Sequence, residues 1–165
     1  MQFEDSSLFE SVETLLFLCY GNICRSPFCE VYWQNLGTPI KVRSAGFIRN
    51  NGRQTPPAFQ KMALEHNVEL RDHASNFVSD DLIEWADLII VMDEHNRQDL
   101  KAHYPEHVEL SVGLGTFLSP PRENIEDPYY LSPAQGKVVY QQMAEGVEAL
   151  RKTLIPECEK SGADL

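Results

Sequence analysis

Basic residues are in short supply: 14 Lys and Arg stand against 25 Asp and Glu, a formal charge of −11. A surface of that sign argues against a general binder of nucleic acid or of anionic membrane, because both rely on clustered cations. No apolar run approaches the roughly 20 residues that a membrane-spanning helix needs. The start, Met1-Gln2-Phe3-Glu4-Asp5, also lacks the basic region of a secretory signal. A cytoplasmic protein without membrane insertion is therefore expected. Cysteine is scarce as well, and the residues at 19, 24, 29 and 158 make neither a disulfide framework nor the paired Cys/His spacing of a zinc site. No metal is expected, and a reducing compartment would keep the thiols free. Internal repeats and low-complexity tracts are absent.

What is present is a chain of 165 residues, 42% hydrophobic, enough for one substantial core and too short for two ordinary domains. Strand and helix patterns alternate. Strands are expected at 14–18, 40–44, 88–92 and, most weakly marked, 109–112. Helices are expected at 26–36, 57–67, 79–85, 94–103 and 133–154, with Phe28, Val31, Tyr32 and Asn35 on the inner side of the first. Such an order implies an α/β fold, an open parallel sheet of four strands with helices on both faces. The expected organisation is an N-terminal extension over 1–11, one domain over 12–157 and a C-terminal tail over 158–165. The extension is either flexible or a short element packed on the surface.

The most informative stretch is Cys19-Tyr20-Gly21-Asn22-Ile23-Cys24-Arg25-Ser26-Pro27, which lies between the apolar run Leu15–Leu18 and a helix start. Gly21 and Asn22 tolerate left-handed backbone, and Ser26-Pro27 reads as an N-cap followed by Pro at the first helical position. A loop of this kind turns successive amides inward above a helix N-terminus, which makes an anion site. Arg25 adds a planar fork for two phosphoryl oxygens. Cys19 then sits beneath the anion as a nucleophile, since amides, helix dipole and Arg25 all favour a thiolate. Ser26 can offer its hydroxyl to that sulfur. An unpaired cysteine is often a small core residue, but that reading leaves Arg25 and the helix-start residues without a reason. Cys24, five residues on in the same curled loop, is placed to capture an oxidised Cys19 as a disulfide.

This loop resembles the signature of the low-molecular-weight protein tyrosine phosphatases, Cys-x-Gly-Asn-x-Cys-Arg-Ser-Pro, and Glu30 falls where that family has an acid. Ser44-Ala45-Gly46, the stretch from Ala86 to Asp93 with Asn96 following, and Asp127-Pro128-Tyr129-Tyr130 resemble later landmarks of the family in the same order. The likeness covers roughly 14–154. It implies a metal-free, cofactor-free hydrolase whose partner is a phosphotyrosine-containing protein, a tyrosine kinase being one such protein. It also implies a loop-supporting network of Asn22, Ser26, Ser44 and His73.

Phosphoryl transfer from a phenoxide needs a proton on the departing oxygen, and Asp127 at the end of the Gly113–Pro128 loop is the candidate to supply it and later to activate water. Tyr129 and Tyr130 would wall the pocket against a flat leaving group, with Tyr20 adding a third ring. The segment 47–52 is out of step with the family's spacing, and the opposite wall is expected to be Phe47 or to be missing, with Asn50 near its place. Asp93, at the end of the third strand, either supports the site or caps the next helix. Ile23 stands where relatives that hydrolyse phosphoarginine tend to carry threonine. Two other readings remain open here. An arsenate reductase of the same fold would need a relay of two further cysteines, and none occurs between Cys29 and Cys158. A non-catalytic phosphate-binding or phosphocarrier module would have no use for Arg25 together with Asp127.

Overall fold

The computed structural model describes residues 6–156. The run Leu15–Leu18 becomes β1 (Thr14–Cys19), a strand buried on both sides, as its unbroken apolar sequence requires. It is followed by α1 (Arg25–Asn35), β2 (Lys41–Gly46), α2 (Pro57–Leu64), α3 (Asp80–Trp85), β3 (Leu88–Val91), α4 (Glu94–His103), β4 (Ser111–Gly113) and α5 (Pro133–Leu154). All pairings are parallel in the order β2-β1-β3-β4, with Leu15 opposite Val42 on one side and Leu88 on the other.

Strand periodicity sorts the core into two layers. Leu15, Phe17 and Cys19 of β1 and Leu88 and Ile90 of β3 face α1, α2 and α5, where they meet Phe28, Cys29, Trp33, Met62, Val139, Met143 and Val147. Leu16, Leu18, Ile89 and Val91 face α3 and α4, against Ile83 and Leu100. The chain after β1 runs to β2 on one side, whereas β3 lies on the other. The carboxyl end of β1 is thus a topological switch point, where open sheets of this type leave a crevice.

Several local expectations shift. The first helix begins at Arg25, and Cys24 occupies its N-cap position without a side-chain cap bond. Ser26 is therefore not the cap, because its hydroxyl is engaged by the loop. On the inner face of α1, Cys29 and Trp33 are buried beside Phe28, while Asn35 is exposed and donates to the Asn67 carbonyl at 3.0 Å. Helix α2 stops at Leu64, short of 67. Asn67 takes a left-handed φ of 62°, and the Val68 N–H returns to the Ala63 carbonyl, the usual way of closing a helix C-terminus. Residues Pro105–Leu110 form a 3-10 turn, so the last strand starts at Ser111. Within the expected extension, Ser6–Phe9 is a 3-10 turn whose Phe9 is buried edge-on to Phe117, 5.9 Å between ring centres, and residues 1–5 lie outside the described residues. The tail 158–165 lies outside the described residues.

Candidate active site

Cys19 ends β1, and the chain then curls around its sulfur. The Asn22 and Ser26 N–H groups donate to Sγ at 3.2 and 3.4 Å, and the Ser26 hydroxyl lies 3.0 Å away. That curl needs Asn22 at φ 55°, a conformation that costs a non-glycine residue on the order of 1 kcal/mol and that Asn accepts most readily. Gly21, the other expected left-handed residue, does not have a positive φ. Close approach is instead required at Gly46, where a Cβ would stand 2.8 Å from the Tyr20 carbonyl.

The Asn22 side chain fixes the direction of the surrounding hydrogen bonds. Its Oδ1 accepts from the Asn76 N–H at 2.8 Å, so Nδ2 is the end that donates to Ser26 Oγ at 2.7 Å and Ser44 Oγ at 3.0 Å. With its acceptor side filled, the Ser26 hydroxyl has its proton free for the sulfur, the Ala45 carbonyl at 3.4 Å being the weaker alternative. Three donors are thus aimed at Sγ. Ser44 donates its own hydroxyl to Glu30 Oε1 at 2.6 Å. His73 Nε2 lies 2.7 Å from the Asn22 carbonyl, which can only accept, so that nitrogen carries the proton. Burial holds His73 below the ordinary histidine range against the opposing pull of this bond, which suits a fixed neutral donor.

Arg25 is 2% exposed. One guanidinium nitrogen, Nη1, donates at 2.7 Å both to Asp93 Oδ2 and to the Ile125 carbonyl, while Nη2 points towards Asp127 Oδ2 at 3.6 Å. Burial alone would work against the charge, but Cys19, Asp127 and Asp93 outweigh it and raise the pKa of the guanidinium. Asp93 serves two purposes with separate oxygens, since Oδ1 caps α4 by accepting the Asn96 N–H at 2.8 Å. Asp127 is 27% exposed and accepts the Tyr129 N–H at 3.1 Å. Cys19 and Cys24 are both free thiols, and burial, first among the causes, pushes Cys24 far up.

A pocket of about 200 Å³ opens over Cys19, lined by Tyr20, Ile23, Cys24, Arg25, Ile48, Arg53, Asp127, Tyr129 and Tyr130. Phe47 is not among them: its ring faces away and stacks on His103, 6.5 Å between centres. Ile48 stands in its place. The sequence reading missed Ile48 and Arg53. Arg53 is pinned by bonds from Nη2 to the Gly21 carbonyl at 2.6 Å and from Nε to the Asn50 carbonyl at 3.1 Å. The one available sign was the irregular spacing of 47–52. Tyr129 meets Tyr130 edge-on at 5.1 Å and lies near-parallel to Phe59 at 6.1 Å, which orients an otherwise half-exposed ring.

The sequence model of the low molecular weight phosphotyrosine protein phosphatases matches residues 14–161. The chain belongs to that family. Among relatives, the mouse low molecular weight phosphotyrosine protein phosphatase is 32% identical over 86% of this chain and 96% of its own. The protein-arginine-phosphatase of Bacillus subtilis is 28% identical over 88% and 97%. The crystal structure of an Erwinia amylovora tyrosine phosphatase superposes with a TM-score of 0.77 at 27% identity, covering 84% of this chain and 91% of the other. As a low molecular weight phosphatase the protein is an enzyme, a phosphoric monoester hydrolase. Among the described residues no helix is long and apolar enough to cross a membrane.

Glu30 gives this phosphatase a measurable pH signature. Burial raises its pKa, against lowering by the Ser44 bond and by Arg43. A carboxyl whose native pKa exceeds the unfolded value of about 4.5 favours the folded state below that pH, and the contribution is lost as pH rises through the native value. Glu30→Gln keeps an acceptor for Ser44 without the buried charge. Its melting temperature should therefore gain on wild type as pH rises from 4.5 to 7. A difference that stays constant across that range would contradict the assignment.

Proposed function

We propose that the protein is a phosphotyrosine phosphatase working through a phosphocysteine. The observation that carries this reading is the convergence of two amides and the Ser26 hydroxyl on Cys19 Sγ, beneath a pocket that also holds Arg25 and Asp127. Cys19 attacks phosphorus in line with the departing phenol oxygen, the S–P bond forming as the P–O bond breaks. Arg25 and the inward amides hold the equatorial oxygens. Asp127 gives its proton to the phenoxide, then removes one from the water that cleaves the S–P bond and releases phosphate and the thiolate. Ser26 stabilises the sulfur as leaving group. Asn22, Ser44 and His73 hold the loop in shape, Asp93 holds Arg25, and Tyr20, Gly21, Ile23 and Cys24 complete the loop. No metal or organic cofactor enters these steps. We place the enzyme in the cytoplasm, acting on a phosphotyrosine-containing protein such as a tyrosine kinase, with its catalytic domain over 12–157.

Kinship with both tyrosine and arginine phosphatases makes the leaving group the point to decide, and the pocket wall favours phenol. Among the described residues lining the pocket Asp127 is the one carboxylate, and Arg53 adds a second cation beside Arg25. A substrate guanidinium would meet like charge and the apolar Ile23 and Ile48, whereas a flat neutral ring fits between Ile48 and the tyrosines. Phosphoserine is too short to bring its phosphate to Cys19 from the rim. On matched peptides, kcat/KM for phosphotyrosine should exceed that for phosphoarginine and phosphoserine by on the order of a hundredfold. Equal values for either competitor would overturn the specificity while leaving the chemistry standing.

A further inference from the structure

Behind the wall of the phosphate pocket lies a larger groove of about 590 Å³, lined by Phe47, Arg49, Phe77, Val78, Ser79, Asp80, His103 and Tyr104. Side chains alternate along residues 47–49: Ile48 faces the phosphate pocket, Phe47 and Arg49 face the groove. This short bend after β2, closed by the Asn50 N–H on the Ile48 carbonyl, therefore separates the two openings. The groove is preformed, because its floor is tied by backbone bonds from Gly46 N–H to the Asn76 carbonyl and from Val78 N–H to the Gly46 carbonyl, and by Phe77 N–H to Asn51 Oδ1 at 2.6 Å. Its volume falls within the roughly 300–1,000 Å³ of pockets that take sizeable ligand groups.

The chemistry of the groove is mixed. Phe47 and His103 lie near-parallel, and Tyr104 donates its hydroxyl to Asp80 at 3.0 Å, which occupies that carboxylate. Arg49 lies over the Phe77 ring, 4.5 Å from its centre, and among the described residues forms no ion pair with a carboxylate. The groove thus offers apolar ring faces and one exposed cation, Arg49, that no carboxylate pairs directly, with Asp80 held by Tyr104 in the same lining, on a protein of net charge −11.

We propose that this groove is a docking subsite for the polypeptide flanking the phosphotyrosine, taking an apolar side chain against the rings and a neighbouring carboxylate at Arg49. The proposal deepens the phosphotyrosine phosphatase reading and rests on it. An extended peptide advances about 3.3 Å per residue, so side chains two or three positions from the phosphotyrosine stand roughly 7–10 Å along from it, the scale of a wall one chain thick. Because neighbouring residues of one short segment line both openings, the occupant is the substrate's own chain, and the unpaired Arg49 gives it an acidic preference. Free phosphotyrosine and p-nitrophenyl phosphate fill only the inner pocket and do not sense the groove.

The test compares nine-residue phosphotyrosine peptides flanked by Leu and Glu, by Ser and Gly, or by Leu and Lys, with wild type, Arg49→Glu and His103→Ala. In wild type the Leu/Glu peptide should exceed the Ser/Gly peptide by about tenfold in kcat/KM, with the Leu/Lys peptide below it. Arg49→Glu should remove the acidic preference and His103→Ala should weaken the response to Leu, both leaving free phosphotyrosine turnover unchanged. Insensitivity of wild type to the flanks would overturn the proposal. So would a Leu/Lys peptide ranking first, which would mean that net charge rather than the groove decides, or an acidic preference that survives Arg49→Glu. Failure of wild type to hydrolyse free phosphotyrosine is a separate result, which would overturn the underlying phosphatase reading.

Discussion

Purified Cys19→Ser should hydrolyse no phosphotyrosine above background, a loss on the order of 10⁵ or more, while unfolding close to wild type. A hydroxyl in place of the thiol fits the same nest of donors, since Asn22 N–H, Ser26 N–H and the Ser26 hydroxyl all remain to serve an oxygen. It lacks a thiolate's nucleophilicity, however, and among the described residues no base lies within hydrogen-bond reach to activate it. Arg25→Lys should be nearly as damaging. Lysine keeps one charge but cannot at once bridge Asp93 and the Ile125 carbonyl and present a fork to the phosphoryl oxygens. Steady-state assays and thermal melts on both variants check this, and substantial turnover by either would remove the assigned residue from the chemistry.

Asp127→Ala should divide substrates by leaving group. Phosphotyrosine, whose phenoxide is basic, should slow on the order of 10²–10⁴, whereas an aryl phosphate with a strongly acidic phenol should lose far less in the phosphorylation step. The reason is that the need for a proton on the departing oxygen falls with the pKa of the phenol. Asp127→Asn serves as the shape control, since it still offers an oxygen to the Tyr129 N–H but carries no transferable proton. Equal losses on both classes of substrate would mean that Asp127 acts by placement or charge and not as the acid.

How much of this was legible in the chain varies with the range of the forces involved. The phosphate loop could be read because its chemistry demands a nucleophile, inward amides and a guanidinium within one turn of chain, so Cys19, Asn22, Arg25 and Ser26 lie side by side in sequence. The same crowding defeated the local capping rule. Ser26 would ordinarily cap the helix, but the sulfur and Asn22 claim its hydroxyl, and the helix starts one residue earlier without a side-chain cap. Phe47 failed for a different reason: the chain bends over 47–49, so the neighbouring Ile48 turns to the pocket while Phe47 turns away to His103, and no sequence pattern marks which way a residue in such a bend points. Arg53 and Asn76 act through loops that only the folded sheet brings to Gly21 and Asn22, and no local pattern announces them. The four-stranded parallel sheet was legible from the alternation of elements. The start of β4 was not, because Val108, Leu110 and Val112 alternate as a strand would, whereas Glu109 and Leu110 belong to the 3-10 turn that begins at Pro105.

The most direct test of the central claim is to catch the phosphoenzyme. Asp127→Ala mixed with an aryl phosphate of an acidic phenol should form the phosphocysteine readily but break it down slowly, because the carboxylate that would activate water is gone. After a rapid quench at neutral pH, mass spectrometry should then find one phosphate on the peptide that contains Cys19, and none when Cys19→Ser is combined with Asp127→Ala. Phosphate on Cys24 or any other side chain, or phenol release in a single turnover with Cys19 unmodified throughout, would contradict the account.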